Sequence, residues 1–216
     1  MKRPQHGTPH PEEAAKQPSR IHMRDSRRMG HVKEVATLPV ELLDRVKEET
    51  RAAAWFAALG EPLTEGDRND ATAYAMALGL GPLRVVQAHD WPEAERVLKA
   101  PDWSAAWWDR EEELRQRLLA GAEARYPERE LWTALTELTT DAGEIVHGKA
   151  ATAASRMGGA AKASIHVAAG AAAQAAYQLA LARLAEDAAS PFESKFRLFA
   201  AGRWPLGVVG STLVLF

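Results

Sequence analysis

The chain has 216 residues, of which 46% are hydrophobic and 26% are charged, and its formal net charge is −2. This length and composition are typical of one globular domain that can bury a sizeable core. The sequence has no cysteine and no apolar run near the roughly 20 residues that span a bilayer. These absences exclude disulfides, thiolate metal sites and cysteine nucleophiles, and they predict a cytoplasmic protein without membrane association.

Residues 1–33 are rich in Pro, Gln, His and Arg and have few apolar positions. They hold eight Lys/Arg against three Asp/Glu, a net charge of +5, whereas the remainder holds nineteen against twenty-six, a net charge of −7. The apolar surface of this segment is too small to offset the conformational entropy lost on ordering, so a disordered basic arm is predicted. Nucleic-acid binding is expected only through this arm, because the rest of the chain is acidic.

Residues 34–216 are predicted to form one all-α domain, an irregular bundle of about six helices. The first helix is expected between Pro39, which suits a first turn, and Gly60, which suits the position after the last turn. A shorter helix is expected over residues 71–79. Residues 81–90 are ambiguous and compatible with a short extended piece.

Asp90 followed by Glu93 is a capping-box pattern that predicts the start of the next helix, and Pro101 is expected to stop it. A long helix is then predicted over residues 102–127. Its charged residues include Glu111 and Arg115, which are spaced as an ion pair on an outer helix face.

Five tryptophans fall within 42 residues: Trp91, Trp103, Trp107, Trp108 and Trp132. Trp107 and Trp108 are adjacent, so on a helix they cannot both face the same core. One of them is expected to reach a second interface, a ligand or solvent. Tryptophan is enriched at interaction hot spots, so both are candidate partner-binding residues, with core filling as the alternative.

The next helix is predicted from Glu128 to about His147, and it is followed by an ambiguous motif. Gly143, Gly148 and Lys149 match the start of a phosphate-binding loop. Such a loop follows a strand, however, and the apolar residues before Gly143 recur with a helical period. The sequence therefore favours a helix with a joint at Gly148.

Glu144 and His147 match the Glu-x-x-His pair of helical di-metal sites, but the pair occurs once instead of twice. A helical projection places both residues away from the apolar stripe of their helix. No metal or other cofactor is therefore favoured, and a divalent metal at these two residues remains the alternative.

An alanine-rich helix is predicted over residues 158–187. His166 and Tyr177 fall on its apolar side, and Gly170 leaves room between them. A core histidine is one interpretation of this pattern. The other is a pocket in which His166 acts as acid–base catalyst with Tyr177 nearby.

Ser190 and Glu193 form a second capping box and predict a last helix that ends at Gly202. Residues 203–216 are β-branched and apolar, and Gly210–Ser211 stands where a two-residue turn would join two strands. A small β-hairpin or an extended segment packed on the helices is predicted.

Arg203 and Trp204 are expected to lie exposed at the joint before the hairpin, as further partner-binding candidates. The first functional hypothesis is a non-catalytic interaction protein, a regulator or a bacterial immunity-type inhibitor, that binds a basic protein partner. The alternative is a small helical enzyme or a ligand- or metal-binding protein with a pocket near His166 and Tyr177. Contact of the arm with nucleic acid is a third hypothesis.

Overall fold

The computed structural model describes residues 36–216, so the predicted disordered arm lies outside the described residues. Within them are seven helices and three short strands: α1 (Val40–Ala52), α2 (Glu65–Ala77), β1 (Arg84–Gln87), α3 (Trp91–Leu98), α4 (Ala105–Arg125), α5 (Glu128–Arg156), α6 (Lys162–Leu184), α7 (Pro191–Ala200), β2 (Pro205–Val209) and β3 (Thr212–Leu215). The predicted mainly helical fold class is confirmed. The ambiguous residues 81–90 contain the strand β1, and the predicted C-terminal hairpin forms β2 and β3.

The alanine-rich helix α6 lies at the centre of the helical part. It packs against α1, α4, α5 and α7, and its residues 178–182 are fully buried. Short alanine side chains let the neighbouring helices approach α6 closely from several directions. No helix within residues 36–216 is both long and apolar enough to cross a membrane.

The three strands form one mixed sheet in the order β1-β3-β2. β2 and β3 are antiparallel and are joined at Gly210–Ser211, as predicted, with Gly210 at φ +57°. β3 also pairs in parallel with β1, so that Arg84 lies opposite Thr212. This second pairing joins the C-terminal hairpin to a strand far away in the sequence.

The first helix ends at Ala52 and does not continue to Gly60 as predicted. Ala53 is extended and Phe56 has φ +61°, which is incompatible with a continuing helix. Trp55 and Phe56 are buried, and both rings pack against Phe199 of α7. Tertiary packing of these aromatic rings therefore overrides the helical periodicity of this segment.

The glycine-containing stretch over residues 141–154 is helical throughout, so the helix interpretation is confirmed. The predicted joint at Gly148 is wrong, because α5 continues to Arg156 for a total of 29 residues. Each glycine inside a helix costs roughly 1 kcal/mol relative to alanine. Packing of α5 along α6 offsets this cost.

Gly202 connects α7 to β2 with a backbone conformation that only glycine adopts without strain. Its φ is +88°, and a β-carbon there would lie 2.6 Å from the backbone nitrogen of Ala58. The carbonyl of Gly202 also accepts a hydrogen bond from this nitrogen at 3.3 Å. The two backbones therefore approach each other too closely for a side chain.

We expect Gly202→Ala to lower the free energy of unfolding by about 3 kcal/mol, because it combines strain at positive φ with a backbone clash. Gly121→Ala is the matched control. Gly121 lies in α4, and an added β-carbon would meet no atom within 4 Å. That variant should gain about 0.5–1 kcal/mol. Urea unfolding measures both changes, and equal effects of the two substitutions would contradict this account of Gly202.

Candidate functional site

An apolar cleft of about 330 Å³ opens where α3, α4, α6 and the start of β2 meet. We call it the tryptophan cleft. It is lined by Leu98, Trp103, Trp107, Trp108, Val167, Ala171, Trp204, Pro205 and Leu206. Trp108 and Val167 are 42% and 50% exposed, so two large apolar residues of the lining are open to solvent. The cleft is therefore an open apolar surface.

The start of α4 places three tryptophans side by side. Ser104 caps this helix by accepting a hydrogen bond from the Trp107 backbone N–H at 3.3 Å. The Ser104 N–H in turn donates to the carbonyl of Val208 in β2 at 2.7 Å. Trp103 packs edge-on against Trp107, with ring centroids 5.4 Å apart, and the Trp107 and Trp108 centroids are 6.2 Å apart.

Both inner indole N–H groups of this cluster donate into the protein. Trp103 Nε1 donates to the carbonyl of Leu206 at 3.3 Å, and Trp107 Nε1 donates to the Tyr74 hydroxyl at 2.7 Å. The N–H groups are thereby satisfied inside the protein, and the cleft is lined mainly by carbon atoms.

Gly207 lets the backbone of β2 pass directly against these rings. It has φ +129°, and a β-carbon there would lie 2.6 Å from Trp103 Nε1. The register of β2 on β3 is irregular between Pro205 and Gly207. This irregularity positions Pro205 and Leu206 at the cleft.

A buried polar network lies behind the cleft. The Tyr74 hydroxyl donates to Glu111 Oε1 at 2.5 Å, and Lys195 Nζ donates to both carboxylate oxygens of Glu111 at 2.8 Å. The side chains of Lys195 and Glu111 are only 5% and 1% exposed. Since Trp107 donates to Tyr74, a buried ion pair fixes the ring that lines the inner part of the cleft.

The sequence did not identify this network. The predicted outer ion pair between Glu111 and Arg115 is wrong, because Glu111 is buried against Lys195 and Arg115 instead pairs with Glu112 at 2.5 Å. Helical spacing gives candidate neighbours on one helix only. The partner of Glu111 lies on α7, 84 residues away.

The structure brings three of the four predicted partner-binding residues to the cleft, namely Trp107, Trp108 and Trp204. The prediction that Trp204 lies exposed is wrong, because its ring is 2% exposed and packs against Phe56 and Trp91. It contributes only a small edge of the lining.

Arg203 does not line the cleft, and its predicted exposure is also wrong, because it is 2% exposed. Its Nε donates to Asp67 Oδ2 at 3.1 Å. Its two terminal nitrogens donate to three backbone carbonyls, those of Ala58, Glu61 and Pro62. The guanidinium thus joins the hairpin to the loop before α2, and it is not available to a partner.

His166 and Tyr177 do not form a common pocket. His166 is exposed and Tyr177 is half-buried, and their spacing of 11 positions on one helix corresponds to about 16 Å along the axis. The expectation that His166 lies on a buried face is wrong. Helix α6, which carries both residues, is buried on one side near its start and on most sides only after about residue 175.

His166 instead meets His147 of α5, with ring centroids 5.1 Å apart and planes inclined by 33°. Glu144 and His147 are exposed, as the helical projection predicted. Within residues 36–216, no group of three or more His, Asp or Glu side chains is placed to hold a metal ion. His147, which the sequence offered as a metal ligand, and His166, which it offered as an acid–base catalyst, therefore form one pair at the surface.

Comparison of the chain with protein-family models, curated proteins and solved structures found no match.

We expect Lys195→Met to lower the free energy of unfolding by about 3–5 kcal/mol, because it leaves the Glu111 carboxylate buried without its counter-charge. Adding Glu111→Gln to this variant should recover more than half of the loss, since the buried charge is then removed.

Lys47→Met is the control, because the Glu137 partner of Lys47 is largely exposed. This substitution should lower the free energy of unfolding by about 1 kcal/mol or less. Urea unfolding of the four proteins compares these values. An unstable double variant would contradict the role given to charge burial.

Burial and the neighbouring charge of Glu111 raise the pKa of the Tyr74 phenol well above 10. The folded state therefore holds this proton at a pH where the unfolded chain has lost it. The corresponding stability is complete below about pH 10 and decreases as the pH rises further. We expect the free energy of unfolding of Tyr74→Phe to fall less steeply between about pH 9 and 11 than that of the wild type. Parallel curves would contradict this assignment.

Proposed function

We propose that this protein is a non-catalytic interaction module that binds a protein partner through the tryptophan cleft. The partner inserts an aliphatic or aromatic side chain between Trp108 and Val167. The observation that carries the proposal is the exposure of these two large apolar side chains at the mouth of a preformed cleft.

The chemistry of the lining supports an apolar side chain as the occupant. Sites for polar small molecules combine apolar walls with a few convergent polar groups. Here the N–H groups of Trp103 and Trp107 are already bonded inside the protein. An apolar side chain needs no polar partner, and it gains by displacing water from the rings.

The cleft is also preorganised for binding. The chain of hydrogen bonds from Trp107 through Tyr74 to Glu111 fixes the inner ring in one position. The exposed ring of Trp108 packs against this fixed ring. A surface that is already ordered loses less conformational entropy when a partner docks.

The charge of the domain supports a basic partner. Residues 36–216 hold 19 Lys/Arg and 25 Asp/Glu, a net charge of −6. Charge complementarity mainly accelerates association and excludes partners of like charge. The alternative of an enzyme built on His166 and Tyr177 gains no support from their separate positions.

We expect Trp108→Ala to reduce partner binding at least about 30-fold, the loss typical of an interface hot spot of 2 kcal/mol or more. Trp132→Ala is the matched control, because Trp132 of α5 is 40% exposed and does not line the cleft. The measurement is quantitative affinity capture of host proteins with wild-type, Trp108→Ala and Trp132→Ala chains.

A protein retained by the wild type and by Trp132→Ala but lost with Trp108→Ala supports the proposal, and its binding should weaken with added salt. Equal retention by all three chains would show that the cleft is not the binding surface. Circular dichroism of the variants confirms that each one is folded.

A further inference from the structure

The cross-helix histidine pair is a second feature with its own chemistry, independent of the tryptophan cleft. His147 and His166 are two of the three histidines within residues 36–216, and their rings lie 5.1 Å apart at the surface. Nothing in the packing of the core requires this pairing, because both side chains are exposed.

The backbones that carry the two rings are held by buried neighbours. Val146 and Ala150 flank His147 in α5 and are fully buried, and Ala168 of α6 is fully buried two residues after His166. α5 and α6 pack together along much of their length. The separation of the two helix backbones is therefore fixed by the fold, and the distance between the imidazoles varies only with their own side-chain torsions.

Two imidazoles at this separation match the needs of a divalent transition-metal ion. Imidazole nitrogen is a preferred ligand of zinc, nickel and copper. Zinc binds it at about 2.0–2.1 Å, so two nitrogens on one ion lie roughly 3.3 Å apart. Two imidazoles that bind one ion tetrahedrally at this bond length have ring centroids roughly 5 Å apart, and the centroids of His147 and His166 are 5.1 Å apart.

We propose that His147 and His166 form a two-imidazole site for a divalent transition-metal ion that bridges α5 and α6. Since no third His, Asp or Glu within residues 36–216 completes the set, the remaining coordination positions are open to solvent. The affinity order follows the intrinsic preference of nitrogen ligands, with copper bound most tightly and nickel and zinc bound more weakly.

The site adjoins the tryptophan cleft but does not depend on it. Val167, which lines the cleft, directly follows His166 in α6. Binding of the metal itself requires only the two histidines.

The test uses isothermal titration calorimetry of the untagged full chain with Zn²⁺, Ni²⁺ or Cu²⁺ alone. Four further histidines lie within residues 1–33, so the comparison is between variants of the same length. The variants are His147→Ala, His166→Ala and the matched control His89→Ala, which changes an exposed histidine elsewhere.

We expect His147→Ala and His166→Ala each to lose one equivalent of bound metal or to weaken it at least about tenfold, since even indirect supports of a metal site contribute 10–100-fold. His89→Ala should bind as the wild type does. Because the ion bridges two helices, it should also raise the thermal midpoint of the wild type and of His89→Ala, and not that of the other two variants.

Unchanged binding in His147→Ala and His166→Ala would overturn the proposal. Dependence on only one of the two histidines would overturn it equally, because the metal would then be held by a single imidazole. Binding that requires both histidines but leaves the thermal midpoint unchanged would overturn the bridging of α5 and α6. Circular dichroism without metal verifies that the variants are folded.

Discussion

Glu111 and Lys195 form a buried ion pair in a largely apolar core, and the arrangement of three helices depends on it. Glu111 belongs to α4, Lys195 to α7, and the Tyr74 hydroxyl that donates to the same carboxylate belongs to α2. Removing charges from water costs several kcal/mol per ion unless each one finds its partner in good geometry. The observed register of the three helices satisfies this condition, because the Tyr74 hydroxyl and the Lys195 ammonium both donate to the Glu111 carboxylate.

A second buried pair gives the hairpin the same kind of constraint. Arg203 at the start of the hairpin segment is bound to Asp67 in the first turn of α2 and to the carbonyls of the preceding loop. α2 is thus held at its first turn by one buried pair and near its other end by Tyr74. The tryptophan cleft lies between the hairpin and α4, whose positions relative to α2 these contacts fix. Its shape therefore follows from polar contacts that lie behind it.

The first half of α6 explains why the cleft and the histidine pair are neighbours. Later in this helix, alanines and leucines are buried on most sides, whereas near its start only one side is covered. In this segment His166 meets His147 of α5, and Val167 lines the cleft together with Trp107 and Trp108 of α4. One stretch of helix thus contributes to two surfaces of different chemistry, an imidazole pair and an apolar cleft.

The sequence by itself determined several local features of the structure. Asp90 and Ser190 cap helices because their side chains accept hydrogen bonds from backbone groups two or three residues away, and Gly210–Ser211 joins adjacent strands. Periodicity also placed Glu144 on the exposed side of its helix. The adjacency of Trp107 and Trp108 alone required that they face different surroundings, and one is buried while the other is exposed.

The tertiary structure decided everything that depends on residues distant in sequence. The parallel pairing of β1 with β3, the burial of Arg203, the partner of Glu111 and the meeting of His147 with His166 each join segments that no local pattern relates. The exposure of His166 likewise depends on how many helices surround α6 at that point. Local hydrogen bonds and side-chain periodicity act over a few residues, whereas these features arise from the packing of whole helices.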